Sequence, residues 1–146
     1  MNVEIVNNEI IGRIEIKAPP ERVFQALTHP EEWWGAPGVY RVLRSSMELR
    51  PGGAWISEGE SEDGARFHVK GTVVECDPPA LLAYTWKPSW EENVPETTVT
   101  FTMESIEGGT LLRLRHGSFD KHDESSKSHY DGWAHVLSWL QAYCER

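Results

Sequence analysis

The chain has 146 residues, of which 39% are hydrophobic and 25% are charged, and its formal net charge is −9. These values are typical of one soluble globular domain that is long enough to bury a substantial core. The acidic balance argues against a surface for nucleic acid or for an anionic membrane, and no apolar stretch approaches the length of a membrane span.

The N-terminal residues and the two cysteines also indicate a soluble single-domain protein. Residues 1–5 lack the basic and apolar regions of a signal peptide, so we expect a cytoplasmic protein. We expect a single domain over residues 1–146, with residues 1–8 either flexible or an additional edge segment. Cys76 and Cys144 do not make a disulfide framework, and both fall in apolar patterns that predict buried free thiols.

The first predicted elements are a strand and two short helices. Residues 9–16 alternate between apolar and polar side chains, which predicts a strand. Pro19 and Pro20 end it, and residues 21–27 place their apolar side chains on one helical face. Pro30 ends this helix, and residues 31–34 are predicted to form a second short one.

The middle of the chain reads as a series of strands joined by turns. Pro78 and Pro79 fix the backbone and donate no hydrogen bonds, so they mark a stiff turn between two strands. Asp63-Gly64 is a hairpin signal, and a bulge is expected near Gly71. The predicted strands are 39–49, with an interruption near Ser45-Ser46, and 54–60, 67–76, 81–87, 96–106 and 110–116.

The last part of the chain is predicted to be a polar loop over 117–128 and one long helix over 129–145. Five side chains form an apolar stripe at helical spacing: Trp133, Val136, Leu137, Leu140 and Cys144. Short helices, a meander of strands and a final long helix predict an α+β domain. In such a domain a curved antiparallel sheet can wrap around the last helix.

Several segments resemble those of a known family. They are Ala18–Thr28 at the start of the first helix, Trp33-Trp34-Gly35, Leu49–Gly53, Gly71–Trp86, Thr98–Phe101 and the Gly132–Leu140 part of the last helix. Together they are similar to the helix-grip proteins of the START/Bet v 1-like (SRPBCC) superfamily, in the branch of the activator of the Hsp90 ATPase. The resemblance covers roughly residues 9–146. It implies a seven-stranded sheet that grips the C-terminal helix, with an apolar cavity between them. Members bind small hydrophobic molecules, act as cyclases or assist chaperones.

Large apolar side chains of the sheet and of the last helix are predicted to face each other. They either fill a core or line a cavity, and the resemblance favours a cavity for a small hydrophobic or aromatic ligand. Tyr84, Trp86 and Trp133 would be its walls, and His116 its polar anchor. The predicted ligand-binding residues are Tyr84, Trp86, Phe101, Met103, Leu114, His116, Trp133 and Leu137.

The histidines leave alternatives open. His116 continues an inward face and either orients a ligand or acts as a base, or is a core-edge histidine bonded to a backbone carbonyl or water. His129 is placed either at the mouth of the cavity or, as the favoured reading, in a solvated first helical turn. The spacing of His116, His122 and His129 matches no metal-ligand pattern, so neither metal nor cofactor is expected. Glu75 would matter as a base if it faced the cavity.

Two other functions remain as alternatives. The first is a protein-interaction module, as a homodimer or as a chaperone cofactor, with an exposed patch supplied by Trp33, Trp34, Trp90 and Trp139. The second is a cyclase- or hydrolase-like enzyme. It would use His116 or a cavity carboxylate, and it is the least favoured because no acid–base pair can be named from the chain. The chain also has no nucleophile elbow, phosphate-binding glycine loop or zinc-protease motif.

Overall fold

The computed structural model describes residues 1–146 as a curved antiparallel sheet around one long helix. The strands are β1 Asn2–Val6, β2 Glu9–Ile16, β3 Gly35–Ala36, β4 Tyr40–Met47, β5 Ala54–Ser61, β6 Arg66–Asp77, β7 Leu81–Pro88, β8 Thr97–Ile106 and β9 Gly109–Gly117. The helices are α1 Pro20–Leu27, a single 3-10 turn Pro30–Glu32, and α2 Asp123–Cys144. The strand order is β1-β2-β9-β8-β7-β6-β5-β4-β3. The helix-grip fold predicted from the sequence is therefore confirmed.

The sheet has nine strands, where the resemblance implied seven. The additional strands are β1 and the two-residue β3, which occupy the two edges. Ile5 of β1 lies opposite Ile10 of β2, so the first residues form an edge strand. The register of β6 shifts between Val73 and Glu75, close to the bulge expected near Gly71.

The last helix begins at Asp123, earlier than the predicted position 129. Its first turn is acidic, which suits a helix N-terminus, but it has no apolar stripe that would reveal a helix in the sequence. The loop before α2 has a polar composition, but one of its side chains is buried. Phe119 is only 1% exposed and lies against the rings of His116 and His129.

The packed core lies between β2, β8 and β9 on one side and the C-terminal half of α2 on the other. Phe101, Leu112, Leu114, Leu137 and Leu140 are almost completely buried there. Each such side chain contributes about 1.5–3 kcal/mol on burial. Here the side chains of the sheet and of the helix pack against each other.

The two cysteines differ in their surroundings. Cys144 is buried at the end of α2, as predicted, and burial raises its pKa to about 11. Cys76 is only half-buried, so the prediction of a buried thiol is wrong at that position. No helix has the length and apolar character needed to cross a membrane.

The inner face of β5 is different because it carries small side chains. Trp55, Ser57, Gly59 and Ser61 alternate on this face, and only the first is large. A Cβ on Gly59 would lie 2.6 Å from the Arg41 carbonyl oxygen and 2.5 Å from the ring of Phe67, so the close approach of β4 favours glycine there. These small residues leave open space between β4–β6 and the N-terminal half of α2.

Candidate ligand-binding site

A cavity of about 560 Å³ occupies this space. Its volume falls in the range of roughly 300–1,000 Å³ that is usual for small-molecule sites. On the helix, His129, Gly132, Trp133 and Val136 border it from one face. The aromatic side chains of its wall and rim are Trp34, Tyr40, Trp55, Phe67, Tyr84, Trp86, Trp90 and Trp133.

Four tryptophans of the wall are held in place by their own indole N–H groups. The bonds are Trp34 to the Tyr40 hydroxyl at 3.0 Å, Trp55 to the Thr85 carbonyl at 2.7 Å, Trp86 to His129 Nε2 at 3.0 Å and Trp133 to His116 Nδ1 at 2.9 Å. The rings also contact one another, with Trp34 stacked on Trp86 at 6.2 Å between centroids. Because every one of these N–H groups already has an acceptor, the indoles offer the cavity ring carbons and not donors.

His116 lies behind this wall and does not border the cavity. It is completely buried, and its Nε2 is 2.7 Å from Thr97 Oγ1. Burial, together with the nearby His129 ring, lowers the pKa of His116 well below its ordinary value. The ring is therefore neutral, with Nδ1 accepting from Trp133 and the proton on Nε2. Both nitrogens are used within the protein, so the structure gives His116 the role of positioning Trp133.

His129 is 8% exposed and borders the cavity, so the favoured prediction of a solvated first turn is wrong. The reason is the earlier start of α2, which places His129 in the second turn. Its Nδ1 donates to the Ser125 carbonyl at 2.9 Å, while Nε2 accepts from Trp86. Glu91 Oε1 lies 3.9 Å from Nδ1 and accepts a hydrogen bond from Ser125 Oγ at 3.0 Å. His129 thus holds Trp86 as His116 holds Trp133.

The cavity is bordered by three of the eight residues predicted to bind a ligand: Tyr84, Trp86 and Trp133. The other five lie in or beside the packed core, and they are Phe101, Met103, Leu114, His116 and Leu137. All eight face inward as the periodicity required. Contact between the latter five and a ligand stays a prediction that the position of the cavity does not support.

Sequence reasoning missed the opposite wall, which β4, β5 and β6 supply. Its residues include Tyr40, Val42, Ser57, Phe67 and Val69. The signal that was available is the alternation of small residues after Trp55, since small inward side chains leave unfilled volume opposite the helix.

The four tryptophans proposed as an exposed patch lie in different environments. Trp33 is buried and its N–H donates to the Ala26 carbonyl at 2.7 Å. Trp34 is part of the cavity wall, and Trp139 is half-buried with its ring against Tyr40. Trp90 alone is largely exposed, at 53%, and sits at the rim. They therefore do not form one patch.

The segment that carries Trp90 and Glu91 is fastened by Lys87. The ammonium group donates to the carbonyls of Glu91 and Glu92, each at 3.0 Å, and to that of Val94. A single cation thus satisfies three backbone acceptors of an irregular loop at the edge of the cavity.

No carboxylate borders the cavity, and Glu75 is exposed, so it does not act there as a base. The His116 and His129 rings are 5.1 Å apart between centroids, yet the structure contains no convergent set of three metal-ligating side chains.

Comparison with known proteins agrees with this architecture. The sequence model of the Activator of Hsp90 ATPase homolog 1-like protein family matches residues 17–145. Protein CV1439 from Chromobacterium violaceum is similar in structure, with 25% identity, a TM-score of 0.79 and coverage of 97% of this chain and 99% of that one. The AHSA1-like protein from Aeromonas hydrophila has 22% identity, a TM-score of 0.77 and coverage of 92% and 90%. CalU16 from Micromonospora echinospora has 23% identity, a TM-score of 0.71 and coverage of 98% and 82%. No curated protein matches the sequence.

Proposed function

The chain belongs to the Activator of Hsp90 ATPase homolog 1-like family, and from this premise we propose that it binds a small, uncharged aromatic ligand between the sheet and α2. The observation that supports the proposal is the cavity of about 560 Å³ with four hydrogen-bonded tryptophans around it. Protein interiors are normally close-packed, so an opening with walls fixed in advance is typical of a binding site. Walls that need no rearrangement also reduce the entropic cost of binding.

The chemistry of the wall supports an aromatic and uncharged ligand. Offset-stacked and edge-to-face aromatic pairs contribute about 0.5–1.5 kcal/mol beyond their buried area. Arg66 is the cation at the edge of the cavity, and its guanidinium lies 3.5 Å from Glu60. An anion would lose its water and meet only this solvent-exposed cation, whose attraction is screened, while a cation would meet no carboxylate, so burying a charge here is costly.

An interaction module or chaperone cofactor has weaker support, because Trp90 is the only one of the four proposed patch tryptophans that is largely exposed. An enzymatic reaction also has weaker support, because the cavity offers no carboxylate and both ring nitrogens of His129 are engaged.

The substitution Gly132→Leu tests the proposal. A Cβ on Gly132 would meet no atom within 4 Å, because this position faces the open cavity. A leucine there would occupy the space for the ligand. It would also replace a glycine in a helix interior, where glycine costs about 1 kcal/mol relative to alanine, so the fold should be retained. Ser138→Leu is the matched control, since Ser138 is exposed on the same helix.

The measurement is a titration with a panel of uncharged two- to four-ring aromatic compounds, followed by tryptophan fluorescence. Saturable binding to the wild type and to Ser138→Leu, with loss of binding in a folded Gly132→Leu protein, would support the proposal. Absence of binding to the wild type across the panel, or equal binding by Gly132→Leu, would contradict it.

A further inference from the structure

Ser57 carries a side-chain hydroxyl that no other group of the protein binds. Its Oγ is buried and is the only buried side-chain nitrogen or oxygen in the structure that has no hydrogen-bond partner. It lies on the inward face of β5 between Trp55 and Gly59 and borders the cavity. Buried polar atoms are nearly always paired, because leaving one unpaired forfeits its hydration without compensation.

Neither residue opposite Ser57 in the sheet pairs with its hydroxyl. On β4 the residue opposite is Ser45, whose Oγ donates to Glu31 Oε2 at 2.7 Å and does not accept from Ser57. On β6 the residue opposite is Val69, which has no polar side-chain atom. In this rotamer the Ser57 Oγ is covered while other atoms of the residue border the cavity, so a rotation about χ1 turns the hydroxyl toward a bound ligand.

We propose that Ser57 is the polar anchor of the cavity and that the ligand is an uncharged aromatic compound with a carbonyl oxygen, of the aromatic ketone or quinone class. This inference rests on the proposed function. A serine hydroxyl has one proton to donate, and a carbonyl only accepts, so one hydrogen bond satisfies both partners. A ligand hydroxyl or N–H group would bring a donor of its own that also needs an acceptor. A carboxylate would need a buried cation, and the one cation that borders the cavity, Arg66, has 69% of its side chain exposed to solvent.

The test uses two probes of nearly the same shape, 2-propionylnaphthalene and 2-propylnaphthalene, in which a methylene replaces the carbonyl. Dissociation constants are measured by calorimetry for the wild type, Ser57→Ala, Ser57→Thr and Ser128→Ala. Ser128 is the matched control, because it also borders the cavity but is exposed to solvent. Comparing the ratio of the two affinities across variants removes the different hydration of the probes in water.

We expect Ser57→Ala to weaken binding of the ketone about tenfold, the effect of one hydrogen bond of ordinary strength, and to leave the hydrocarbon unchanged. Ser57→Thr should keep the preference for the ketone, because it keeps the hydroxyl. The carbonyl stretching frequency of the bound ketone should be lower in the wild type than in Ser57→Ala. The Tm of Ser57→Ala should equal or exceed that of the wild type, since no hydrogen bond is lost.

Unchanged ketone affinity in Ser57→Ala, or an equal loss for both probes, would overturn the role of Ser57 and leave the cavity's binding function intact. A Tm of Ser57→Ala clearly below that of the wild type would show that Oγ already has a protein partner, which would also overturn it. Failure of both probes to bind the wild type would instead contradict the proposed function, and this inference with it.

Discussion

The bond between Trp133 and His116 can be tested by a double-mutant cycle. Trp133→Phe removes the indole donor and leaves His116 Nδ1 buried without a partner, which costs about 1–3 kcal/mol, and the smaller ring adds a cavity term. His116→Leu leaves both the Trp133 N–H and the Thr97 hydroxyl without their partner, which costs about 2–6 kcal/mol. In the double mutant the indole N–H and Nδ1 are both absent. Each single mutant leaves one group unpaired that the double mutant lacks, at about 1–3 kcal/mol each, so the two costs should be less than additive by about 2–6 kcal/mol.

The free energies of unfolding are obtained from urea denaturation followed by far-ultraviolet circular dichroism, since the substitutions change tryptophan fluorescence itself. For a domain of this size each 1 kcal/mol corresponds to a Tm change of roughly 2–4 °C, so thermal unfolding gives an independent check. If the two single effects add to within about 0.5 kcal/mol, the hydrogen bond does not couple the residues, and the account of His116 as the support of Trp133 is wrong.

Three further predictions concern pH, the loop at the rim and one glycine. Because the folded-state pKa of His116 lies well below its ordinary value of 6.5, the unfolded chain binds the proton first as pH falls. The stability that depends on neutral His116 is thus complete above about pH 6.5 and is lost below it, by up to about 1.4 kcal/mol per pH unit. The free energy of unfolding, measured by urea denaturation at pH values from 8 to 5, should fall less with decreasing pH for His116→Leu than for the exposed control His135→Gln. An equal fall in the two variants would contradict this. Lys87→Met should accelerate amide hydrogen exchange over residues 89–96, because three carbonyls lose their donor, whereas the exposed Lys70→Met on the opposite strand should not. Gly71→Ala should lower Tm far more than Gly64→Ala, since its Cβ would lie 2.2 Å from the Thr85 carbonyl oxygen, while Gly64 faces open space with φ +86; similar losses would show that β6 and β7 separate easily.

The fold could be predicted because its signals are local. The strict alternation of Val99, Phe101 and Met103 fixes which face of β8 is inward, and all three are buried. Pro78-Pro79 separates two strands whatever the rest of the chain does. The start of α2 could not be predicted in this way. Its first turns bury Ser125 and Ser126, so the polar sequence resembles a loop although the segment packs against the protein.

For the candidate site, periodicity predicts which side chains face inward, but not which of them border the cavity and which are packed in the core. Periodicity shows that Trp133 and Leu137 both face the sheet, but one borders the cavity and the other is packed. The difference lies in the residues opposite, which belong to strands distant in sequence. The bonds that fix the tryptophans are equally nonlocal, since Trp86 and His129 are separated by 43 positions. No pattern in one segment reports such a pair.

The two halves of α2 should therefore separate stability from binding. Leu137 is 1% exposed, and its Cδ1 would be only 3.3 Å from a Cβ on Gly12, so it fills the packed half completely. Leu137→Ala should cost about 2–5 kcal/mol of stability, because a close-packed site cannot collapse around the lost atoms. Its probe affinity should stay within about twofold of the wild type, because the tryptophan walls keep their acceptors on His116 and His129. Gly132→Leu should show the reverse, with stability retained and binding lost. If Leu137→Ala instead weakened binding as strongly as Gly132→Leu in the folded protein, the cavity would depend on the packing of the whole helix, and the tryptophan–histidine bonds would not suffice to hold it open.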